Sequence, residues 1–177
     1  MTADDIVAGK AGFQRADLMD YGSLYGMGSY FGEDYTAKYL VSLGRMTEDK
    51  IAQQQFGKPF MNLDVGQQYV VRQTMQQDLQ HTDLNAQISV LSQPVADAIA
   101  QLRTQISQTL LQHDPEAGWT KAYSLDEKSA MQTADFLIYS SLTTIAHRPG
   151  QTSSYTNNWP YEPTMGNHPT AHTFYWT

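Results

Sequence analysis

YGSLYGMGSYFGEDY, residues Tyr21 to Tyr35, sets four glycines (Gly22, Gly26, Gly28, Gly32) among five aromatics (Tyr21, Tyr25, Tyr30, Phe31, Tyr35). Glycine opens backbone conformations that a Cβ forbids, so the stretch reads as a winding loop and not as a helix. The aromatics give that loop something to pack with. Its first reading is a well-packed irregular loop. A second is a rigid loop whose carbonyls turn toward one point, an arrangement that suits a hard cation. The spacing of Gly26, Gly28 and Gly32 is G-x-G-x-x-x-G, with no strand expected ahead of it, so it is not a dinucleotide fingerprint. No Lys-Ser or Lys-Thr follows Gly32, which excludes a P-loop.

Around this loop lie 177 residues, enough for one domain with a real core. The net charge of −7 and pI near 5 come with no basic cluster, which argues against a nucleic-acid surface. The chain has no cysteine. Disulfides, thiolate zinc sites and haem attached through C-x-x-C-H are therefore excluded, while the redox compartment stays open. No apolar run approaches the roughly 20 residues of a membrane span. Met1 is followed by Thr2-Ala3-Asp4-Asp5, acidic where a signal peptide is basic, so the start reads as a mature domain or a trimmed fragment.

Helical spacing dominates the rest. A short helix is expected over Asp4–Gln14, capped by Thr2 or Asp4, with Ile6, Val7 and Phe13 inward. Asp34 opens a second, with Tyr35, Tyr39, Leu40 and Leu43 on one face; Gly44 interrupts it and Thr47-Glu48-Asp49 restart it. Gly57-Lys58-Pro59 ends that segment. Asp64 and Gln67 have capping-box spacing, and Tyr69, Val71, Met75 and Leu79 are the expected buried side of the helix that follows, set against a solvated glutamine face. Asn85–Leu91 alternates like a short strand. Pro94 starts the clearest helix, with Val95, Ala98, Ile99, Leu102, Ile106 and Leu110 inward, to about His113 before Asp114-Pro115. Ser124 and Glu127 suggest a capping box for a last helix carrying Met131, Ala134, Ile138, Leu142 and Ile145. From Gln151 periodicity vanishes, with Pro160, Pro163 and Pro169 in extended chain. Phe174-Tyr175-Trp176 fits either a docked tail or the start of a membrane span.

Chemistry-bearing residues are sparse. His168 and His172 stand four apart, with His147 or Glu162 able to fold over as a third ligand; such pairs are more often surface residues. Glu33-Asp34 are adjacent, and Asp34 is better read as a helix cap. Met27, Met46, Met61, Met75 and Met131 read as core filling before haem ligands. G-x-S-x-G and H-E-x-x-H are both missing, and the residues alone give no catalytic centre.

Two distant segments carry a resemblance: GSLYGMGSYFGEDYTAKYL (Gly22–Leu40) and RPGQTSSYTNNWPYEPTMGNHPT (Arg148–Thr170), together with the stretch around Leu63-Asp64 and the helix from Pro94. Gly26-x-Gly28-Ser29-Tyr30, joined to Tyr155-Thr156-Asn157-Asn158-Trp159-Pro160, Glu162-Pro163 and Gly166-Asn167, resembles the extracytoplasmic segment of quinol-dependent nitric-oxide reductases of the haem–copper oxidase superfamily. The resemblance spans essentially the whole chain. It implies a mainly α, cytochrome c-like domain without haem, with long irregular loops and room for one short strand pair. Residues 1–150 would form that domain and 151–177 an extended segment leading to a transmembrane helix. The parent would reduce two NO to N2O and water at haem b and non-haem iron, with electrons from quinol. Its membrane part, in the same polypeptide, would hold all the catalytic residues. The domain would lie on the periplasmic face as a cap. Tyr21, Tyr25, Met27, Trp119 and Phe136 are the expected fillers of the haem space. The resemblance also assigns the carbonyls of Gly28 and Tyr30 to a calcium ion, with the membrane part present. A periplasmic ligand-sensing module, or a metal-binding protein using His147, His168 and His172, is the alternative.

Overall fold

A computed structural model describes residues 1–29, 32–80, 82, 88–112 and 125–145. The described chain is mainly helical, in six α-helices and one two-stranded hairpin. These are α1 (Ala3–Arg15), α2 (Leu18–Tyr21), β1 (Ser23–Leu24), β2 (Met27–Gly28), α3 (Tyr35–Phe56), α4 (Val65–Gln80), α5 (Gln93–Leu111) and α6 (Glu127–Thr143), with a 3-10 turn at Phe60–Asn62. The expected strand pair is present, but in the glycine–aromatic loop. Ile88–Leu91 is not strand, and Asn85–Gln87 lies outside the described residues.

α6 is the central helix, in contact with α1, α3 and α5. Its sequence suits that place. Ala130, Ala134, Leu137 and Ile138 are fully buried, and the small polar residues between them return their hydroxyls to the helix backbone. Thr133 Oγ1 donates to the Ser129 carbonyl (2.8 Å) and Ser141 Oγ to that of Leu137 (2.9 Å). Polar groups satisfied in this way can be buried at small cost. α5 presents Val95, Ala98, Leu102 and Ile106 inward, as its spacing predicts. Fully burying one such Leu or Ile side chain stabilises the fold by about 1.5–3 kcal/mol.

α1 begins at Thr2, whose hydroxyl and Asp5 form a reciprocal capping box. Its buried side differs from the expected one. Val7 is 71% exposed, and the face against α6 is Gly9, Gly12 and Phe13. A Cβ on Gly9 would overlap the Gln132 carbonyl, so the two backbones approach as only glycine permits. The helices run antiparallel: Gly9 lies beside Gln132 and Phe136, Gly12 beside Ser129 and Thr133.

α3 is one unbroken helix of 22 residues. The expected interruption at Gly44 does not occur, because glycine costs a helix interior only about 1 kcal/mol, less than the packing on either side returns. Asp34 caps the helix and Gly57 (φ 65°) ends it. Its N-terminal half joins the main core; its C-terminal half carries a second, smaller core of Ile51, Ala52, Phe60, Leu63 and Val71. Asp49, expected to start a helix, instead accepts the Phe60 N–H (2.9 Å) from mid-helix and fixes the chain reversal. α4 packs along this half of α3. Asp64 and Gln67 make the reciprocal cap (2.9 and 3.3 Å), but Tyr69 is 64% exposed and not part of the buried side. α6 is capped by Asp126, whose carboxylate accepts the Ser129 N–H (2.7 Å). Ser124, His113 and Asp114-Pro115 lie outside the described residues.

Candidate functional site

Among the described residues a built polar site lies inside the glycine–aromatic loop, and its hub is Asp34. Asp34 Oδ2 accepts from Ser23 Oγ (2.7 Å) and the Gly26 N–H (2.7 Å). Oδ1 accepts from Thr36 Oγ1 and the Ala37 N–H (2.9 Å). One carboxylate thus ties both ends of the hairpin to the first turn of α3. Burial alone would raise its pKa. The bonds from Thr36, Ser23, Ala37 and Gly26 outweigh that and hold it below the ordinary carboxylate range.

Tyr25 and Gly26 form the two-residue turn between β1 and β2, both with positive φ (55° and 73°). Such a turn matches the twist of a hairpin, and Gly26 adopts it without strain. Tyr25 is held there by two hydroxyls: its N–H donates to Thr36 Oγ1 (3.2 Å), and its OH pairs with Thr143 Oγ1 at the end of α6 (2.8 Å). Behind the loop, Tyr35 donates to the Leu18 carbonyl (3.0 Å) and stands edge-on to Phe13 (6.0 Å). Tyr39 stacks on Tyr35 at 6.3 Å, and Phe136 lies 5.5 Å from Phe13. Burial, then neighbouring charge, pushes both tyrosine pKa values far up, so both phenols stay neutral.

The expected site residues fall out as follows. Gly28 is the last residue of β2, at φ 142°. Tyr30 lies outside the described residues, as do Trp119, His147, Glu162, His168 and His172, so the His-based metal centre falls there too. Of the expected fillers, Phe136 packs against the core, Tyr21 is half-buried, and Tyr25 (39%) and Met27 (51%) face outward as the tip of a two-residue hairpin must. The rings at the core are Phe13, Tyr35 and Tyr39 instead. Asp34 as a hub escaped the sequence reading, which saw it only as a cap. Its signal was the D-x-T spacing, Asp34 to Thr36, typical of side chains that bond locally.

No group of three or more His, Asp or Glu side chains converges among the described residues. Asp34 does not suit a calcium ion, because four donors already occupy its oxygens. Glu33, the loop's other carboxylate, is paired with Lys38, so the described part of the loop offers a cation chiefly backbone carbonyls. An open cleft of about 540 Å³ lies elsewhere, between Ile51, Gln55, Thr74, Asp78, Ser92 and Pro94; its lining has no histidine or methionine to ligate iron. No described helix is long and apolar enough to cross a membrane.

Residues 1–161 match the family described as the NorB cytochrome c-like domain of nitric oxide reductase. The chain belongs to this family. The match carries the fold class expected from the sequence, and it runs past Gly150 through Tyr161. A search of curated proteins finds no match. In this cytochrome c-like domain of nitric oxide reductase, the described part of the glycine–aromatic loop is a platform tied together by Asp34, with its tip fastened to α6.

The platform makes a pH prediction. Asp34 has its pKa lowered on folding, so its ionised form stabilises the domain above the unfolded value of about 3.9. That contribution is lost as the pH falls through the lower folded value. Thermal unfolding from pH 6 down to 2 is expected to show stability falling below about pH 4. Asp34→Asn should be less stable at pH 6 and show a shallower fall, with Asp5 and Asp126, also lowered, supplying what remains. An unchanged pH profile in Asp34→Asn would remove the hub role.

Proposed function

We propose that this domain is the haem-free extracytoplasmic cap of a quinol-dependent nitric oxide reductase. The observation that carries the reading is a cytochrome c-like family match in a chain without cysteine. Covalent haem is attached through cysteine thioethers, so the electron-carrying role that an attached haem gives such a scaffold would be missing here. The Phe13, Tyr35, Tyr39 and Phe136 rings support it by giving the interior bulk of its own. Quinol would then deliver electrons directly to the membrane part of the same polypeptide. Haem b and non-haem iron there would supply the redox chemistry that joins two NO into N2O and water. This domain would contribute no catalytic residue; it would cover that centre from the periplasmic face. Gly28 and Tyr30 would lend backbone carbonyls to a calcium ion whose charged ligands lie elsewhere.

Two measurements test this. Titration of the 177-residue chain with haemin should leave no Soret band on the protein after gel filtration, whereas a stoichiometric low-spin spectrum would overturn the haem-free reading. Calorimetry with calcium should find no micromolar site on the isolated chain, because carbonyls without carboxylates bind it weakly. A tight site would show that the loop is complete by itself.

A further inference from the structure

The open cleft of about 540 Å³ lies where α3, α4 and the start of α5 meet, with buried Ile51 and half-buried Pro94 as its apolar walls. Ile51 stands roughly 25 Å along α3 from Asp34, at 1.5 Å per helical residue, so the cleft is separate from the glycine–aromatic loop. Its polar groups are short of donors. Gln55 Nε2 donates to Thr74 Oγ1 (3.2 Å), and that hydroxyl gives its own proton to the Val70 carbonyl (3.0 Å). The Gln55 group facing Thr74 must therefore be the NH2, and the Gln55 carbonyl is left over. Gln93 Nε2 donates to the Asp97 carboxylate (2.8 Å), which only accepts, so the Gln93 carbonyl is left over in the same way. Ser92 Oγ, at the start of α5, has no partner among the described residues. Gln54 keeps a whole amide free and can serve either way. Asp78, half-buried on α4, is the one carboxylate of the described lining, and no described side chain bonds to it or pairs with it. That lining carries no Lys, Arg or His.

We propose that this cleft binds a small primary alkylammonium ion, with its ammonium at Asp78 and its alkyl stem along Ile51 and Pro94. An ammonium brings three N–H donors and no acceptor, the complement of a carboxylate flanked by spare carbonyls. A half-buried carboxylate holds a cation more strongly than an exposed one, because less water screens it. The same charge turns an anion away. A quaternary ammonium matches the charge but has no N–H for the carbonyls of Gln55 and Gln93. The start of α5 carries partial positive charge, so a second ammonium at that end gains nothing, and the ligand has a single cationic head. A divalent metal ion fits less well, since one carboxylate and neutral amides fall short of the ligand set that calcium takes.

Titration of the isotope-labelled 177-residue chain with n-butylammonium chloride, followed by amide NMR, tests the assignment. The side-chain amide signals of Gln54, Gln55 and Gln93 and the backbone signals of Thr74 and Asp78 should shift and saturate, with a Kd of about 1 mM. Tetramethylammonium should bind at least about tenfold more weakly, the worth of the missing charge-assisted hydrogen bonds. Asp78→Asn, which keeps the shape of the side chain, should weaken butylammonium binding at least about tenfold. Asp4→Asn removes the same charge from an exposed position on α1 and should leave binding unchanged. Gln55→Met, on the exposed side of α3, should weaken it roughly threefold. Shifts that do not saturate, equal affinity for tetramethylammonium, or equal effects of Asp78→Asn and Asp4→Asn would overturn the proposal. Saturating shifts of the same signals with calcium and not with butylammonium overturn it too, and assign the cleft to a metal ion. None of these outcomes bears on the haem-free reading, because the cleft is separate from the aromatic core and the loop.

Discussion

Arg103→Met is expected to cost about 3–5 kcal/mol of folding stability, the penalty for leaving a buried charge without its partner. The partner is Asp135, which has no exposed surface, on the central helix α6. Arg103 reaches it from α5 with Nη2 bonded to Oδ2 at 2.8 Å. A second contact, Nε to Oδ1 at 2.7 Å, brings the charges together without a well-aligned hydrogen bond. The pair is asymmetric: the Arg103 side chain is 32% exposed and the Asp135 side chain 0%. Asp135→Leu should therefore cost less than Arg103→Met, since the orphaned guanidinium can turn to water and the orphaned carboxylate has no such route. The double variant should recover most of the loss, because a matched apolar pair replaces a buried ion pair at little cost. Urea unfolding of the two single variants and the double checks all three. Equal costs for the two single changes would contradict the asymmetry.

Gly9→Val is the second large effect. Alanine favours a helix over glycine by about 1 kcal/mol, so on propensity alone a side chain here should help. At Gly9 it meets the Gln132 backbone, which has no rotamer to yield. The helix α1 must then lift from α6 and loosen Phe13 and its contacts with Tyr35 and Phe136. A loss of about 3 kcal/mol follows, at the upper end for overpacking. Gly44→Ala supplies the control: it lies within α3 with open space around it and should stabilise by about 0.5–1 kcal/mol. Melting temperatures of the two variants should move in opposite directions.

These residues mark where the sequence was legible. The α5 face from Val95 to Ile106 was plain, because one element buries one stripe and the spacing is visible along the chain. The caps at Asp34 and Asp64 were plain for the same local reason, and the first helix's cap was narrowed to Thr2 or Asp4, of which the structure uses Thr2. Gly9 was not, because its role depends on Gln132, more than a hundred residues away, and only tertiary packing joins them. Arg103 and Asp135 each look like ordinary helix surface, and nothing local shows that they face one another. Val7 and Tyr69 misled in the opposite sense: apolar side chains at helical spacing read as core, yet they point outward. The glycine–aromatic loop was legible as a loop and as part of a family pattern. Its dependence on Asp34 needed the fold, because two of the donors, Ser23 and Gly26, come from the hairpin and must be brought back to the start of α3.

The antiparallel seam between α1 and α6 has a wider consequence. Among the described residues, α1 starts and α6 finishes at the same end of the bundle. A polypeptide that enters through one and leaves through the other returns to where it came from. Such a module can be spliced into the link between two neighbouring segments of a larger protein without prising them apart.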